Sequence, residues 1–419
     1  MALTASDLPA MYSLLANSMS GDESVRRPAE AALSQSESRP GFCSCLMEVI
    51  ASKDLVSHVD VRLMASVYFK NSINRHWKSR RNASSGISNE EKIHLRQKLL
   101  SHLREENYKI AEMLAVLISK IARFDYPREW PDLFSVLAQQ LHSADVLASH
   151  RIFMILFRTL KELSTKRLTA DQRTFAEISS QLFDFSWHLW QTDVQTILRG
   201  FSTMAQSYSS NSAEQHHDEL FLTCQRWFLC LKIVRQLTIS GFQSDAKSIQ
   251  EIKPVKEVSP LLLNAVQSFL PYYSSFQNRD TKFWEFVKKA CVKLMKVLAA
   301  IQSRHPYSFG DKCVLPVVLD QILSTCTSVI LGGDRDLTED ESSGDMSSSR
   351  SQGEGTPPSK ELRKSQIKVS DPIYQMSLEK SVRENLQTCS TLHGDAFNSA
   401  ISRIHPSELA QVKQALKLP

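Results

Sequence analysis

His216 and His217, followed directly by Asp218 and Glu219, place four metal-capable side chains in succession. Neighbouring residues on a helix project about 100° apart, so adjacent histidines do not converge on one ion, and a solvated helix start is the plainer reading. His188 lies between Trp187 and Trp190, where it could serve as a base. Its tryptophan neighbours point instead to a partly buried core residue. Lys78, Arg80 and Arg81 could hold a phosphate, but cations also suit the negative end of a helix dipole, and these close a helical pattern. No Gly-rich phosphate loop, His-Glu-x-x-His or Gly-x-Ser-x-Gly occurs. The sequence reads as a non-enzyme, with no catalytic residue, cofactor site or metal site.

What remains is a pattern suited to binding. In VRLMASVYFKNSINRHW, Val61, Ala65, Phe69, Ile73 and Trp77 recur every four residues, and Leu63, Met64, Val67 and Tyr68 widen that apolar face. Arg62, Ser66, Lys70, Asn74 and Lys78 make a second, polar and mostly basic row at the same spacing. Residues four apart stack on a helix, so one face is built to pack and the next to meet solvent or a partner. The spacing predicts a helix over Val61 to Trp77 with Asp60 as its N-cap.

The rest of the chain must position that helix. At 419 residues, 42% hydrophobic and 23% charged, it has material for two or three domains or one elongated repeat array. Twelve Gly and 15 Pro are too few for the turns of an all-β or α/β fold. A net charge of +5 and a pI of 8.7 fall short of a concentrated nucleic-acid-binding face, so no direct nucleic-acid partner is expected. Eight cysteines without a Cys-x-x-Cys pair predict free buried thiols in a reducing compartment. No signal pattern opens the chain and no run of about 18 apolar residues occurs, which predicts a soluble intracellular protein.

Helical periodicity runs along most of the sequence. Helices are predicted at Asp7 to Ser18, Glu23 to Ser36, Phe42 to Ala51 and Tyr108 to Phe124, with another opened by Ser88, three residues before Glu91 as in a capping box. Pro131 to His142, Val146 to Leu163, and Ala170 to Trp190 running on to Tyr208 follow. Glu214 to Ile239, Ser259 to Phe269, Thr281 to Ile301 and Cys313 to Ile330 complete the run. Helix, short turn, helix about every 40 to 47 residues is the period of HEAT or armadillo arrays. The predicted fold class is therefore all-α, an α-solenoid of stacked helical hairpins. Residues 332–371 are acidic, Ser-rich and poor in apolar side chains, which predicts a disordered linker. Residues 372–419 regain amphipathic character and read as a short helical tail.

Two segments resemble a known family. Val61-Arg62 through Lys70-Asn71 to Trp77 is similar to the signature of the importin N-terminal domain. KIARFDYPREWPDLFSVL, from Lys120 to Leu137, is similar to the third-to-fourth repeat junction of the importin-beta superfamily, where an acidic residue and a Pro precede Trp-Pro. Ala29-Glu30 with Leu33 fits the first repeat. The repeats to about Pro316 resemble the importin-eleven type of nuclear transport receptor; the likeness ends near Leu319, so the chain reads as an array shortened to about seven repeats. The resemblance implies that residues 1–141 grip the small GTPase Ran in its GTP state, with further repeats over 142–331. It places Glu23 to Ser36, Asp60 to Lys78 and Tyr108 to Phe124 toward the GTPase, and makes Arg62, Lys70, Asn71 and Arg75 candidate contacts. Protein cargo and Phe-Gly nucleoporins are the other implied partners of a monomer that shuttles between cytoplasm and nucleus through the nuclear envelope, without membrane insertion. A shortened array would couple weakly to cargo. The competing reading is a HEAT scaffold or adaptor whose binding ignores nucleotide state.

Overall fold

The computed structural model describes residues 2–78, 87–206, 213–242, 253–276, 280–306, 315–331 and 372–404, with 406, 409, 410 and 413. Arg80, Arg81, the linker 332–371, the tail positions Val412 and Leu416 and the side chain of His216 lie outside the described residues. Every regular element among the described residues is a helix, and none of these helices is long and apolar enough to cross a membrane. Two compact units are present, Met1–Asp245 and Ala246–Pro419.

In the first unit the helices pair as hairpins. These are α1 (Leu8–Asn17) with α2 (Glu23–Ser36), α3 (Phe42–Ala51) with α4 (Val59–His76), and α5 (Asn89–Leu100) with α6 (Tyr108–Asp125). Then come α7 (Leu133–Leu141) with α8 (Val146–Leu163) and α9 (Thr169–Gln206) with α10 (Ala213–Gly241). The second helices form one layer, α4 against α6, α6 against α8 and α8 against α10. Helix α6 shows why: Ile110, Leu114, Leu117, Ile118 and Ile121 are all buried, enough to face a neighbour on each side. Burial of each such side chain stabilises by about 1.5–3 kcal/mol.

Helix starts follow local chemistry. Asp22 Oδ1 accepts from the Ser24 amide, Asn107 Oδ1 from Lys109 and Ile110, and Asp145 Oδ1 from Ala148, each cap contributing about 1 kcal/mol. Helix α4 departs from expectation, because its N-cap is His58 and Asp60 falls inside the first turn, where its charge suits the dipole. Helix α7 starts at Leu133, with Asp132 rather than Pro131 at the boundary. Only half of the predicted capping box forms: Ser88 Oγ accepts from the Glu91 amide at 3.1 Å. The Glu91 carboxylate crosses instead to the start of α3, accepting from the amides of Gly41 and Ser44 and from Ser44 Oγ, all at 3.1 Å. Gly41 has φ 84°, and a Cβ there would stand 2.3 Å from the Leu3 carbonyl oxygen, so glycine is required. His188 is exposed, its Nδ1 on the Asp184 carbonyl at 2.8 Å, not in the core as the flanking tryptophans suggested. Trp187 and Trp190 are buried and stacked 4.7 Å apart, and one residue's rotation carries His188 away from them.

The second unit repeats the layering. Helix α11 (Lys253–Phe276) runs through Pro260 and Pro271, longer than predicted, and pairs with α12 (Thr281–Arg304). Helix α13 (Leu315–Leu331) packs on α11, and α14 (Pro372–Leu392) packs on both α12 and α13, followed by α15 (Gly394–Ile401). The predicted tail is therefore the second helix of a hairpin whose halves flank 332–371. Fully buried Asn385 fixes its register: Nδ2 donates to the Met295 and Ser381 carbonyls at 3.0 and 2.7 Å, and Oδ1 accepts from Gln302 at 2.9 Å. Cys389 Sγ donates to Gln302 Oε1 at 3.6 Å, and burial pushes its thiol up to about 12. Cys43, Cys45, Cys224, Cys230, Cys291 and Cys389 are free and buried, as the sequence predicts.

Candidate functional site

Helix α4 shares its side chains among three surroundings. Val61, Ala65, Phe69, Ile73 and Trp77 are each 3% exposed or less, as their row predicts. The polar row does not hold together: Arg62 and Ser66 are buried, Lys70 is partly exposed, and Asn74 and Lys78 are exposed. A step of four residues turns a helix about 40° beyond a full circle, so the row drifts about 160° between Arg62 and Lys78. Leu63 and Val67 lie within about 60° of Lys70 and border it rather than widening the packed face, whereas partly exposed Met64 and Tyr68 extend that face at its other edge; Val67 is 37% exposed.

The four candidate residues do not form one cluster. Arg62 turns into the joint with the neighbouring hairpin, where its Nη2 donates to Glu105 Oε2 at 2.6 Å and its Nε to the Ile50 carbonyl at 2.8 Å. Its side chain is 4% exposed, so in this conformation it presents no charge to a partner. Arg75 is 62% exposed, and its Nη1 donates to Glu37 Oε2 at 2.6 Å. Glu37 also accepts from Ser72 Oγ at 3.0 Å and faces His76 at 3.7 Å. Lys70 and Asn71 stand between these directions, partly exposed, and no hydrogen bond or ion pair reaches their side chains among the described residues.

A second node ties together the two segments that carry the family likeness. The Trp77 indole Nε1 donates to Asp125 Oδ1 at 2.9 Å, and Arg96 Nη1 donates to Oδ2 at 2.8 Å. The Asp125 backbone carbonyl then accepts from the amides of Glu129 and Trp130 at 2.7 and 3.2 Å, turning the chain toward α7. Burial raises the Asp125 carboxyl, against the opposing pull of the Trp77 donor and the Arg96 charge. Lys92 sits 5.8 Å from the Trp77 ring centre. A lone carboxylate before Tyr-Pro is the sequence signal for this node, but Arg96, Glu37 and Glu105 carry no local signal, and the spacing of Glu91 points to Ser88 rather than to α3. A shallow cleft with room for no more than about one water lies between Glu37 and Glu91, and both carboxylates are already committed to α4 and α3. No group of three or more metal-ligating side chains occurs among the described residues.

Layered hairpins, with one helix that buries an arginine, anchors a tryptophan and leaves Lys70 and Asn71 partly exposed, define a helical-repeat scaffold. Residues 29–105 match the importin-beta N-terminal domain, and residues 97–417 match the family described as importin-11-like, TPR repeats. The chain belongs to the importin-11-like family. It is 32% identical over 296 residues to importin-11 of Homo sapiens, covering 71% of this chain and 28% of that protein. The importin beta-like protein kap113 of Schizosaccharomyces pombe is 28% identical over 245 residues, covering 57% of this chain and 24% of that one. The exportin Cse1 in its cargo-free, cytoplasmic state has a similar fold, with a TM-score of 0.57 at 14% identity, covering 98% of this chain and 46% of that one. The chain thus spans less than a third of the length of these curated relatives. Because the family match reaches residue 417, the expectation that the likeness ends near Leu319 is wrong. The low apolar content of 332–371 interrupts the periodicity in sequence, while α13 and α14 close one hairpin across it.

Proposed function

We propose that the protein is a nuclear transport receptor that binds the small GTPase Ran in its GTP state through the outward face of α4. In this reading it carries protein cargo, meets Phe-Gly nucleoporins and shuttles between cytoplasm and nucleus through the nuclear envelope. The observation that carries the reading is Lys70 and Asn71, outward and without an internal partner beside the engaged Arg62 and Arg75. A partly covered lysine without an internal partner favours an acidic partner surface. Arg75 is a marginal contact whose bond to Glu37 would have to open. Arg62 acts as a positioning residue, holding α4 against the Glu105 turn. Membership of the importin-11-like family supports the reading.

Release of cargo by a nucleotide-switched partner is a coupling between two sites, and it is reciprocal. Moving a cargo from 99% bound to 99% free requires about 10⁴-fold differential binding, or about 5.5 kcal/mol. The test is retention of Ran-GTP and Ran-GDP by the immobilised chain, alone and as Lys70→Glu or Asn71→Ala. The expected result is preference for the GTP form and a loss of ~10-fold or more with Lys70→Glu. Equal retention of the two forms would leave a scaffold without nucleotide dependence.

A further inference from the structure

The outward side of α6, α8 and α10 carries charge that the fold does not neutralise. Near Lys161, Glu112 pairs with Arg158, and Glu162 accepts from Lys120 Nζ at 2.7 Å and lies 3.7 Å from Arg123; exposed Asp218 and Glu219 stand near the start of α10, about 25 Å of helix from Arg235. Lys109, Lys161 and Arg235 are exposed, and no acidic side chain reaches them among the described residues.

Register brings the cations together. Helices α8 and α10 run side by side, with Gln236 on Ser164 at an offset of 72 residues and Arg226 on Ser149 at an offset of 77. Lys232 lies over the Phe157 ring at 5.3 Å between those two contacts. Interpolated between these contacts, exposed Lys161 and exposed Arg235 stand at about the same level along the two helices. Met113 and Val116 on α6 and Phe228 on α10 are partly exposed in the same layer, so apolar patches alternate with the unpaired cations.

We propose that this face binds an acidic, amphipathic protein helix whose carboxylates meet Lys161 and Arg235 and whose aliphatic side chains cover Met113 and Val116. Charge complementarity selects that occupant: a basic segment would face three unpaired cations and, beside Lys161, only the committed Glu112 and Glu162. Nucleic acid fits less well, because Glu112 and Glu162 would repel phosphates and the aliphatic side chains offer no stacking platform. The proposal rests on the transport-receptor reading only in identifying this partner as cargo; the surface itself is independent of the α4 site.

The full chain is titrated with three labelled probes of equal length: a Glu/Leu peptide of helical spacing, its Lys/Leu counterpart, and a single-stranded RNA. The Glu/Leu peptide should bind at least ~10-fold more tightly than either of the others and weaken as salt is raised. Lys161→Glu with Arg235→Glu should abolish the difference, and the milder pair Lys161→Gln with Arg235→Gln should reduce it about three-fold at an unchanged melting temperature. Lys70→Glu, which reports on GTPase retention, should leave peptide binding within about two-fold, so the two proposals fail separately. Equal or tighter binding of the Lys/Leu peptide or the RNA overturns the inference, as does a glutamine pair that folds and binds the Glu/Leu peptide like the parent.

Discussion

At Asp125 one carboxylate accepts bonds from groups 48 and 29 residues away, so a single residue joins three helices. Removing a donor from a buried acceptor costs about 1–3 kcal/mol, so Trp77→Phe should lower stability by that amount in urea unfolding. Lys70→Ala, on the outward face of the same helix, should move it by less than about 0.5 kcal/mol. Similar losses for the two would mean that the indole bond contributes nothing of its own. His150 gives a second prediction. It is 2% exposed, with Arg151 Nη1 3.2 Å from its Nδ1, and burial together with the nearby Arg151 and Arg226 charges lowers its pKa to about 4. The unfolded chain takes up this proton near pH 6.5 and the folded one does not, so stability is full above that pH and falls as pH drops toward 4. A loss of about 2 kcal/mol is expected between pH 7 and pH 5, and His150→Asn should flatten that part of the profile. An unaltered slope in the variant would assign the acid sensitivity elsewhere. Lys70 could be picked out in the sequence because periodicity reports a helix face. The burial of Arg62 could not, because its partner Glu105 lies 43 residues on and nothing local announces it.

Between elements, helix ends and buried polar groups decide which helices meet. Glu91 shows the limit of local rules: Ser88 and Glu91 have capping-box spacing, but tertiary contact takes the carboxylate to α3, where three donors outbid one. Helix existence and most boundaries could be read from the apolar period, whereas the N-cap of α4 and the full length of α11 could not. The place of α14 was also hidden, since its hairpin partner lies beyond 40 residues of polar sequence. Asn385 makes that placement testable. Asn385→Ala would leave the buried Gln302 amide without its acceptor, an orphan costing about 1–3 kcal/mol, and would remove the second donor to the Met295 carbonyl, which keeps its place in α12. Amide exchange over Pro372–Leu392 should then quicken by ~10-fold or more while α4 and α6 keep their protection. Unchanged exchange in α14 would show that its apolar contacts alone hold it.

For the whole molecule, the division into Met1–Asp245 and Ala246–Pro419 predicts autonomy. A fragment of residues 1–245 contains the α4 face, the Asp125 node and the layer from α4 to α10, so it should give helical circular dichroism and a cooperative melt. A fragment that binds a hydrophobic dye and melts without cooperativity would tie the first unit's stability to the second. The rotation of α4 also sets how the array tolerates changes in length. One extra residue between Arg62 and Lys70 would swing everything downstream by about 100°, turning buried Phe69 out to the place of Lys70 and prying Trp77 from Asp125. Seven extra residues would restore nearly the same facing but shift it by about 10 Å along the axis, out of step with Glu37 and Asp125. Helix α4 therefore cannot change length by insertion or deletion, and length variation has to be absorbed between helices.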